Sequence, residues 1–211
     1  MKVTEVYASL LGESTESGRP CVLVRFTGCS LRCRYCDTPY AFHGGEEMAP
    51  EEVAARVREH GIDLVLLTGG EPLEQEDLPR LVEILLGRGH EVLVETGGHR
   101  PIETLDPRVL KILDIKCPGS GHADAMLWSN LDALGPRDEV KFVLVDRADY
   151  EWAKGALAEK LRGVRGPVLF SAAYGRLAPA ELAGWILEDR LPVRLGIQLH
   201  RILWPDRERG V

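Results

Sequence analysis

Three cysteines close together in the chain are the residues best suited to carry chemistry. Cys29, Cys33 and Cys36 have the spacing CxxxCxxC and follow an apolar, strand-like segment. They offer three thiolates to one centre with no obvious fourth ligand, which suits a 4Fe-4S cubane with one iron open to a non-protein ligand. A structural zinc ion usually has four ligands, and the chain contains no second CxxC and no HxxxH pair. The spacing therefore predicts an iron–sulfur cluster with an open, reactive iron.

Polar and glycine-rich motifs follow several of the apolar segments. Thr68-Gly69-Gly70-Glu71-Pro72 comes directly after one such segment, and Glu95-Thr96-Gly97-Gly98 and Asp114-Ile115-Lys116 end the next two. A Gly-Gly pair alone is only a turn signal, but glycine also lets bare backbone approach a ligand. Because catalytic groups gather at the carboxyl ends of parallel strands, this arrangement favours an enzyme.

Apolar runs that alternate with helical patterns must position these groups. Such alternation is typical of an α/β fold with a mainly parallel sheet. We predict strands over 21–27, 63–68, 90–95, 109–115, 140–145, 167–171 and 193–198, and helices over 50–61, 78–87, 150–161 and 179–190. Six or seven β/α units are too few for a complete eight-fold barrel. We therefore predict a partial, splayed (β/α) barrel.

The composition limits the class of protein. The 211 residues are enough to bury a core as one domain, expected over 1–211, and the net charge of −7 argues against a nucleic-acid surface. No segment has the length of a membrane span, and the first residues do not resemble a signal peptide. Five cysteines, three of them crowded together, fit a metal site in a reducing, cytoplasmic compartment. Cys21 is expected to be buried in its strand, and the glycine-rich run 116–124 to be a simple connection.

These motifs resemble those of known proteins. The cysteine loop followed by Gly-Gly-Glu-Pro is similar to the radical S-adenosylmethionine (SAM) superfamily. From Tyr7 to the C-terminus the chain resembles the 7-carboxy-7-deazaguanine synthase family. The matching segments are Leu11-Gly12-Glu13, Val24-Arg25-Phe26-Thr27-Gly28-Cys29, Cys36-Asp37-Thr38, Thr68-Gly69-Gly70-Glu71-Pro72, Glu95-Thr96-Gly97, Val140-Lys141-Phe142-Val143 and Gln198-Leu199-His200-Arg201-Ile202-Leu203-Trp204.

The resemblance implies a radical SAM fold and assigns residues to three cofactors and a substrate. Cys29, Cys33 and Cys36 would bind the 4Fe-4S cluster, and Thr38 would bind Mg²⁺. The residues implied in SAM binding are Tyr35, Asp37, Gly69, Gly70, Glu71, Asp114, Lys116, Ser171 and Tyr174. The residues implied in substrate binding are Leu11, Gly12, Glu13, Arg25, Thr68, Gln198, His200 and Val211.

The resemblance also implies a reaction. A radical derived from SAM would convert 6-carboxy-5,6,7,8-tetrahydropterin to 7-carboxy-7-deazaguanine with loss of ammonia. A flavodoxin or ferredoxin would supply electrons, and the protein would be a homodimer. The chain departs from the family where Leu11 replaces a common glutamine and where Asp114-Ile115-Lys116 replaces Ser-Pro-Lys. A radical SAM activase and a non-enzymatic iron–sulfur electron carrier are the alternatives.

Overall fold

A nine-stranded sheet runs through the structure, a computed structural model that describes residues 1–211. The strands are β1 (Lys2–Leu10), β2 (Pro20–Phe26), β3 (Glu46–Glu47), β4 (Leu64–Gly69), β5 (Glu91–Thr96), β6 (Leu110–Lys116), β7 (Glu139–Leu144), β8 (Val168–Ala172) and β9 (Arg194–Gly196). Their order in the sheet is β3-β1-β2-β4-β5-β6-β7-β8-β9. From β2 to β9 every neighbouring pair is parallel, and the sheet does not close. The predicted partial barrel with a mainly parallel sheet is confirmed.

Four helices cover one face of this sheet: α1 (Pro50–Glu59), α2 (Leu78–Gly87), α3 (Arg147–Glu159) and α4 (Pro179–Asp189). A fifth, the short α5 (Leu199–Leu203), follows β9 and has no buried residue. The first four match the four predicted helices to within three residues at each end. The helices α1, α2 and α4 each have a proline in the first turn, which marks the helix start in the sequence. Proline suits these positions because its fixed φ is helical and its missing N–H is not needed there.

The strands β1 and β3 were missed by the sequence analysis. β1 pairs antiparallel with β2, and its register shifts between Val3 and Glu5. This irregularity breaks the strict alternation of apolar and polar residues by which a half-buried strand is recognised. β3 has only two residues and pairs with the start of β1.

Alternation along the parallel strands divides their side chains between two faces. Val22, Val24 and Phe26 belong to a core of 37 buried residues that includes the helix side chains, whereas Cys21 and Leu23 belong to a separate cluster of seven. The buried position of Cys21 agrees with the prediction. Since successive side chains point to opposite faces, the positions that continue the smaller cluster lie on the concave face of the sheet. Those positions are Arg25, Thr68, Glu95, Asp114 and Lys141.

Candidate active site

A cavity of about 440 Å³ opens on the concave face of the sheet. Every residue that the sequence analysis assigned to a cofactor or to the substrate lines it, with the exception of Ser171. Ser171 is buried in β8 beside Gly196, so its side chain does not reach this space. The structure therefore brings together segments from both ends of the chain, including Leu11-Gly12-Glu13 and the last residue, Val211.

The cysteine loop is attached to two neighbouring segments. On one side the Arg34 N–H donates to the Ser120 carbonyl (3.1 Å) and the Arg32 N–H donates to His122 Nε2 (3.0 Å). On the other side Ser30 contacts His99 Nε2 through its hydroxyl (3.0 Å). The run 116–124, expected to be a simple connection, instead folds into two short 3-10 turns that support the loop.

The three cysteines fit an iron–sulfur cluster better than a single metal ion. All three are free and half-buried, and they line the cavity. No group of three or more His, Cys, Asp or Glu side chains is close enough to bind one metal ion. A cubane binds each cysteine through a different iron, so its thiolates need not converge on one point. This argues against the zinc alternative.

Positively charged groups lie near the partly buried thiols. Burial raises the pKa of Cys29 to about 11. Burial also raises the pKa of Cys33, although the positive charge of Lys116 acts to lower it. Arg32 donates to the Cys29 carbonyl and stacks on Phe42 (4.2 Å to the ring centroid). Arg25 points to Glu5 and so faces away from the thiols. Arg32 and Lys116 are therefore two positive charges that act near the cysteines.

The Gly-Gly pair at the end of β4 packs against the start of the cysteine loop. A β-carbon on Gly69 would lie 2.3 Å from the Phe26 nitrogen, and one on Gly70 would lie 1.7 Å from the Gly28 carbonyl oxygen. Gly69 also has a φ of 125°, which L-residues with side chains rarely adopt. Only glycine fits at both positions, and the bare backbone there borders the cavity.

Glu71 follows this pair and is buried. Its carboxylate accepts hydrogen bonds from Leu73 N (3.1 Å), Thr96 Oγ1 (2.7 Å) and Gly97 N (2.9 Å). Burial raises the pKa of Glu71, and these hydrogen bonds oppose the rise. Both oxygens are thus used in joining the ends of β4 and β5. The side chain borders the cavity, and its contacts are those of a residue that holds the two strand ends together.

Charged side chains form the floor of the cavity. Lys141 Nζ donates to Glu13 Oε2 (2.7 Å) and to Glu95 Oε1, and lies 3.6 Å from Asp114 Oδ2. Asp114 also pairs with Lys116 (2.8 Å), and Thr68 Oγ1 donates to Glu95 Oε2 (3.2 Å). Burial acts against ionisation of Asp114, yet the two lysines hold its pKa below the ordinary value. The floor is therefore a connected set of ionised groups.

Two buried acceptor atoms on the cavity wall have no partner in the protein. They are Asp114 Oδ1 and Gln198 Oε1. Buried polar atoms are nearly always hydrogen-bonded, so acceptors left free at a cavity indicate a ligand with hydrogen-bond donors. Tyr35 is fixed nearby by donating to the Val143 carbonyl (3.2 Å), while Tyr174 is largely exposed at the rim and stacks with Arg201 (5.0 Å).

The C-terminal segment closes over the loop that follows β1. Gln198 Nε2 donates to Glu13 Oε1 and to Asp37 Oδ2, both at 2.9 Å, and Leu199 N donates to the Gly12 carbonyl (2.9 Å). The His200 ring lies against Gly12, where a β-carbon would be 2.5 Å from Nδ1. Burial lowers the pKa of His200, which favours the neutral ring. Thr38 Oγ1 stands beside Cys36 Sγ at 3.9 Å, which leaves this hydroxyl free to bind a metal.

Arg25 and the chain end meet at another wall. Arg25 Nε donates to Glu5 Oε1 (2.8 Å) and its NH2 group to Tyr7 Oη (3.3 Å). Tyr7 Oη in turn donates to the Val211 carbonyl oxygen (2.8 Å). The C-terminal residue is thereby held at the cavity, with the Arg25 guanidinium close by.

The sequence analysis did not assign Lys141, Glu95, Tyr7 or Glu5 to the site. For Lys141 a signal was available, because a lysine inside the apolar run Val140-Lys141-Phe142-Val143 is rarely buried without a partner. Glu95 was noted only as a strand-end motif. Tyr7 and Glu5 lie on β1, which was not recognised as a strand.

Comparisons with known proteins agree with this arrangement. A sequence model of the Radical SAM superfamily matches residues 23–114. A 7-carboxy-7-deazaguanine synthase from Koribacter versatilis is 44% identical over 226 aligned residues that cover 100% of both chains. One from Chlorobaculum tepidum is 42% identical over 216 residues, covering 100% of this chain and 97% of the other.

Two solved structures share the fold. QueE from Escherichia coli superposes with a TM-score of 0.76 at 21% identity and covers 93% of both chains. An archaeal TYW1 superposes with a TM-score of 0.60 at 14% identity, covering 82% of this chain and 72% of the other. The open barrel is thus of the radical SAM type.

Proposed function

The chain belongs to the 7-carboxy-7-deazaguanine synthase family of radical SAM enzymes, and we propose how the residues of its cavity support that reaction. The substrate is 6-carboxy-5,6,7,8-tetrahydropterin and the product is 7-carboxy-7-deazaguanine, with loss of ammonia. The activase and electron-carrier alternatives are not favoured, because full-length relatives are synthases.

One observation carries the proposal. A single cavity joins the cysteine loop, the Gly69-Gly70 strand end and a floor of ionised side chains. An electron carrier needs only the first of these, whereas a radical enzyme needs a cluster, a SAM site and a substrate site in contact. The volume of about 440 Å³ lies within the range of small-molecule sites.

The cluster and SAM supply, when bound, the radical that removes a hydrogen atom from the substrate. Cys29, Cys33 and Cys36 would hold the cluster. The bare backbone of Gly69 and Gly70, Lys116 and the free Asp114 Oδ1 would bind SAM, as would Tyr35, Asp37 and Tyr174. Glu71 would act by holding the Gly97 turn, and Ser171 has no contact with the cavity to support its predicted role.

Thr38 would ligate Mg²⁺. Magnesium prefers hard oxygen ligands and takes few of them from the protein, so a hydroxyl together with substrate and water is sufficient. The Thr38 hydroxyl has only a distant sulfur contact and lies on the cavity wall beside Asp37. Both observations support the assignment.

The substrate would lie on the charged floor. Glu13 offers a carboxylate that is partly exposed to the cavity, and Gln198 offers a free carbonyl oxygen, so both can accept from N–H groups of the pterin. Arg25 would pair with the substrate carboxylate through its planar guanidinium. The remaining members of the proposed substrate site are Leu11, Gly12, Thr68, His200 and Val211.

The enzyme requires a reductant, and we propose a flavodoxin or ferredoxin. We also propose a homodimer and a cytoplasmic location, as the family resemblance implies. Exposed apolar side chains on and after the edge strand β9, Leu195, Ile197 and Ile202, support an interface between copies. No helix has the length and apolar character needed to cross a membrane.

An anaerobic assay tests the reaction. The cluster-reconstituted enzyme is mixed with SAM, Mg²⁺, reductant and 6-carboxytetrahydropterin, and mass spectrometry is used to detect 7-carboxy-7-deazaguanine. The matched control is Cys33→Ala, which retains the cavity but lacks one cluster ligand and is expected to be inactive.

Each negative outcome has its own meaning. If SAM is cleaved to 5′-deoxyadenosine and no deazaguanine forms, the enzyme class is retained and the substrate assignment is wrong. If a fully loaded cluster cleaves no SAM, the electron carrier becomes the better account.

A further inference from the structure

Lys141 occupies an unusual position in the apolar strand β7. Its side chain is only 4% exposed, and its ammonium is next to the carboxylates of Glu13, Glu95 and Asp114. Burial acts against a charged lysine, but these three carboxylates hold the pKa of Lys141 well above its ordinary value. A fully ionised ammonium is thus held at the centre of the cavity floor.

The lysine separates two carboxylates that would otherwise repel each other. Glu13 uses Oε2 for Lys141 and Oε1 for Gln198. Glu95 uses Oε1 for Lys141 and Oε2 for Thr68. Each carboxylate is therefore oriented from two sides, while its side chain remains 22% exposed at the cavity.

Removing the ammonium would change both carboxylates. Each carboxylate would lose the donor that orients one of its oxygens, and no cation would stand between the two like charges. Two carboxylates without a shared cation repel each other, so at least one tends to turn away from the position in which it faces the cavity. Substrate contacts at Glu13 and Glu95 would weaken together.

We propose that Lys141 is a positioning residue that orients Glu13 and Glu95 as a pair of acceptors for the N–H groups of the pterin substrate. This inference rests on the proposed function for the identity of the substrate. It assigns Lys141 no contact with the reacting atoms. Its main effect is on substrate affinity, because Asp114, the proposed SAM residue that it also faces at 3.6 Å, keeps Lys116 as a closer partner at 2.8 Å.

The chain contains a matched control in Lys111. This lysine is also buried and also pairs with a carboxylate, Asp138, at 3.2 Å, but it does not line the cavity. Lys111→Met removes the same charge at a similar burial. It is expected to lower stability and to leave substrate affinity unchanged.

The test measures substrate binding and turnover by the reconstituted holoenzyme. Binding of 6-carboxytetrahydropterin is measured by anaerobic calorimetry with SAM omitted, and KM and kcat are measured separately. Lys141→Met is expected to raise the Kd and KM about tenfold to a hundredfold, the range for loss of charged hydrogen bonds. Lys141→Arg should recover part of the affinity, since a guanidinium can also donate to both carboxylates.

A double-mutant cycle keeps the inference testable if Lys141→Met folds poorly. Glu95→Gln removes one of the facing charges, so Lys141→Met should cost less affinity in that background than in the wild type. Equal costs in both backgrounds, or a folded Lys141→Met enzyme with wild-type affinity, would overturn the inference. If the wild type itself neither binds nor converts the pterin, the proposed function fails instead.

Discussion

Gly70 lies so close to Gly28 that a β-carbon on Gly70 would stand 1.7 Å from the Gly28 carbonyl oxygen. Two backbone hydrogen bonds hold this contact: Gly70 N donates to the Phe26 carbonyl (3.0 Å), and Glu71 N donates to the Gly28 carbonyl (2.8 Å). The proposed SAM strand end and the start of the cysteine loop therefore share one backbone contact. A change in one segment must move the other.

Gly70→Ala is expected to displace the cysteine loop. The added methyl group meets backbone, which cannot rotate away, and overpacking of this kind costs about 1–3 kcal/mol. The measured result should be a reduced iron and sulfide content after reconstitution. Gly155→Ala is the control, because nothing lies within 4 Å of its β-carbon position and alanine favours the interior of α3. Full cluster content in Gly70→Ala would contradict this reading of the contact.

His122→Ala is expected to loosen the cysteine loop without breaking it. The ring accepts a hydrogen bond from the Arg32 N–H, between two proposed cluster ligands, and loss of one such bond costs about 1 kcal/mol. The variant should take up the cluster but lose it faster in air. The loss is measured as the decay of the visible absorbance of the cluster. His60→Ala, at the exposed end of α1, should decay at the wild-type rate. Equal decay of all three proteins would show that this contact is unimportant.

Thr38→Ala is expected to reduce turnover while cluster absorbance and SAM cleavage without substrate are retained. The loss follows because the proposed Mg²⁺ ligand is a hydroxyl that alanine lacks. Thr38→Ser keeps the hydroxyl and should retain most of the activity. Activity is measured across a magnesium titration, in which Thr38→Ala should need more of the ion. A titration curve identical to that of the wild type would remove Thr38 from the magnesium site.

Glu139 is expected to make stability depend on pH. Burial raises its pKa above the ordinary 4.5, and hydrogen bonds from Thr15 oppose that rise. The folded state therefore holds this proton more tightly than the unfolded state. The resulting contribution to stability is fully present below pH 4.5 and is lost as the pH rises through the folded pKa. The loss amounts to about 1.4 kcal/mol for each pH unit that separates the folded pKa from the unfolded pKa.

Glu139→Gln should remove this dependence. Thermal unfolding is measured from pH 4.5 to neutral pH, and the melting temperature of the variant relative to wild type should increase over that range. Glu159→Gln, at the exposed end of α3, provides the control and should follow the wild type. A constant difference between Glu139→Gln and wild type would mean that the carboxyl does not titrate in this window.

Local patterns in the sequence are sufficient to predict several elements of the fold and of the site. The three cysteines of the loop, the Gly-Gly pair after β4 and the four main helices depend on neighbouring residues, so they can be read without the fold. The seven parallel strands were also predicted, because most of them contain a short run of apolar residues. β1 was not predicted, since the irregularity between Val3 and Glu5 disrupts the alternation of apolar and polar residues on which such a prediction depends.

The charged groups that meet on the cavity floor are brought together by the tertiary structure. Lys141 reaches Glu13 across 128 positions, and Tyr7 reaches Val211 across 204. These pairings follow from the sheet order and register, which bring distant segments to one concave face, and no local pattern encodes them. The run 116–124 has the composition of a simple connection, yet it supports the cysteine loop. It does so because it begins where β6 ends, and the position of β6 in the sheet places this run next to the loop.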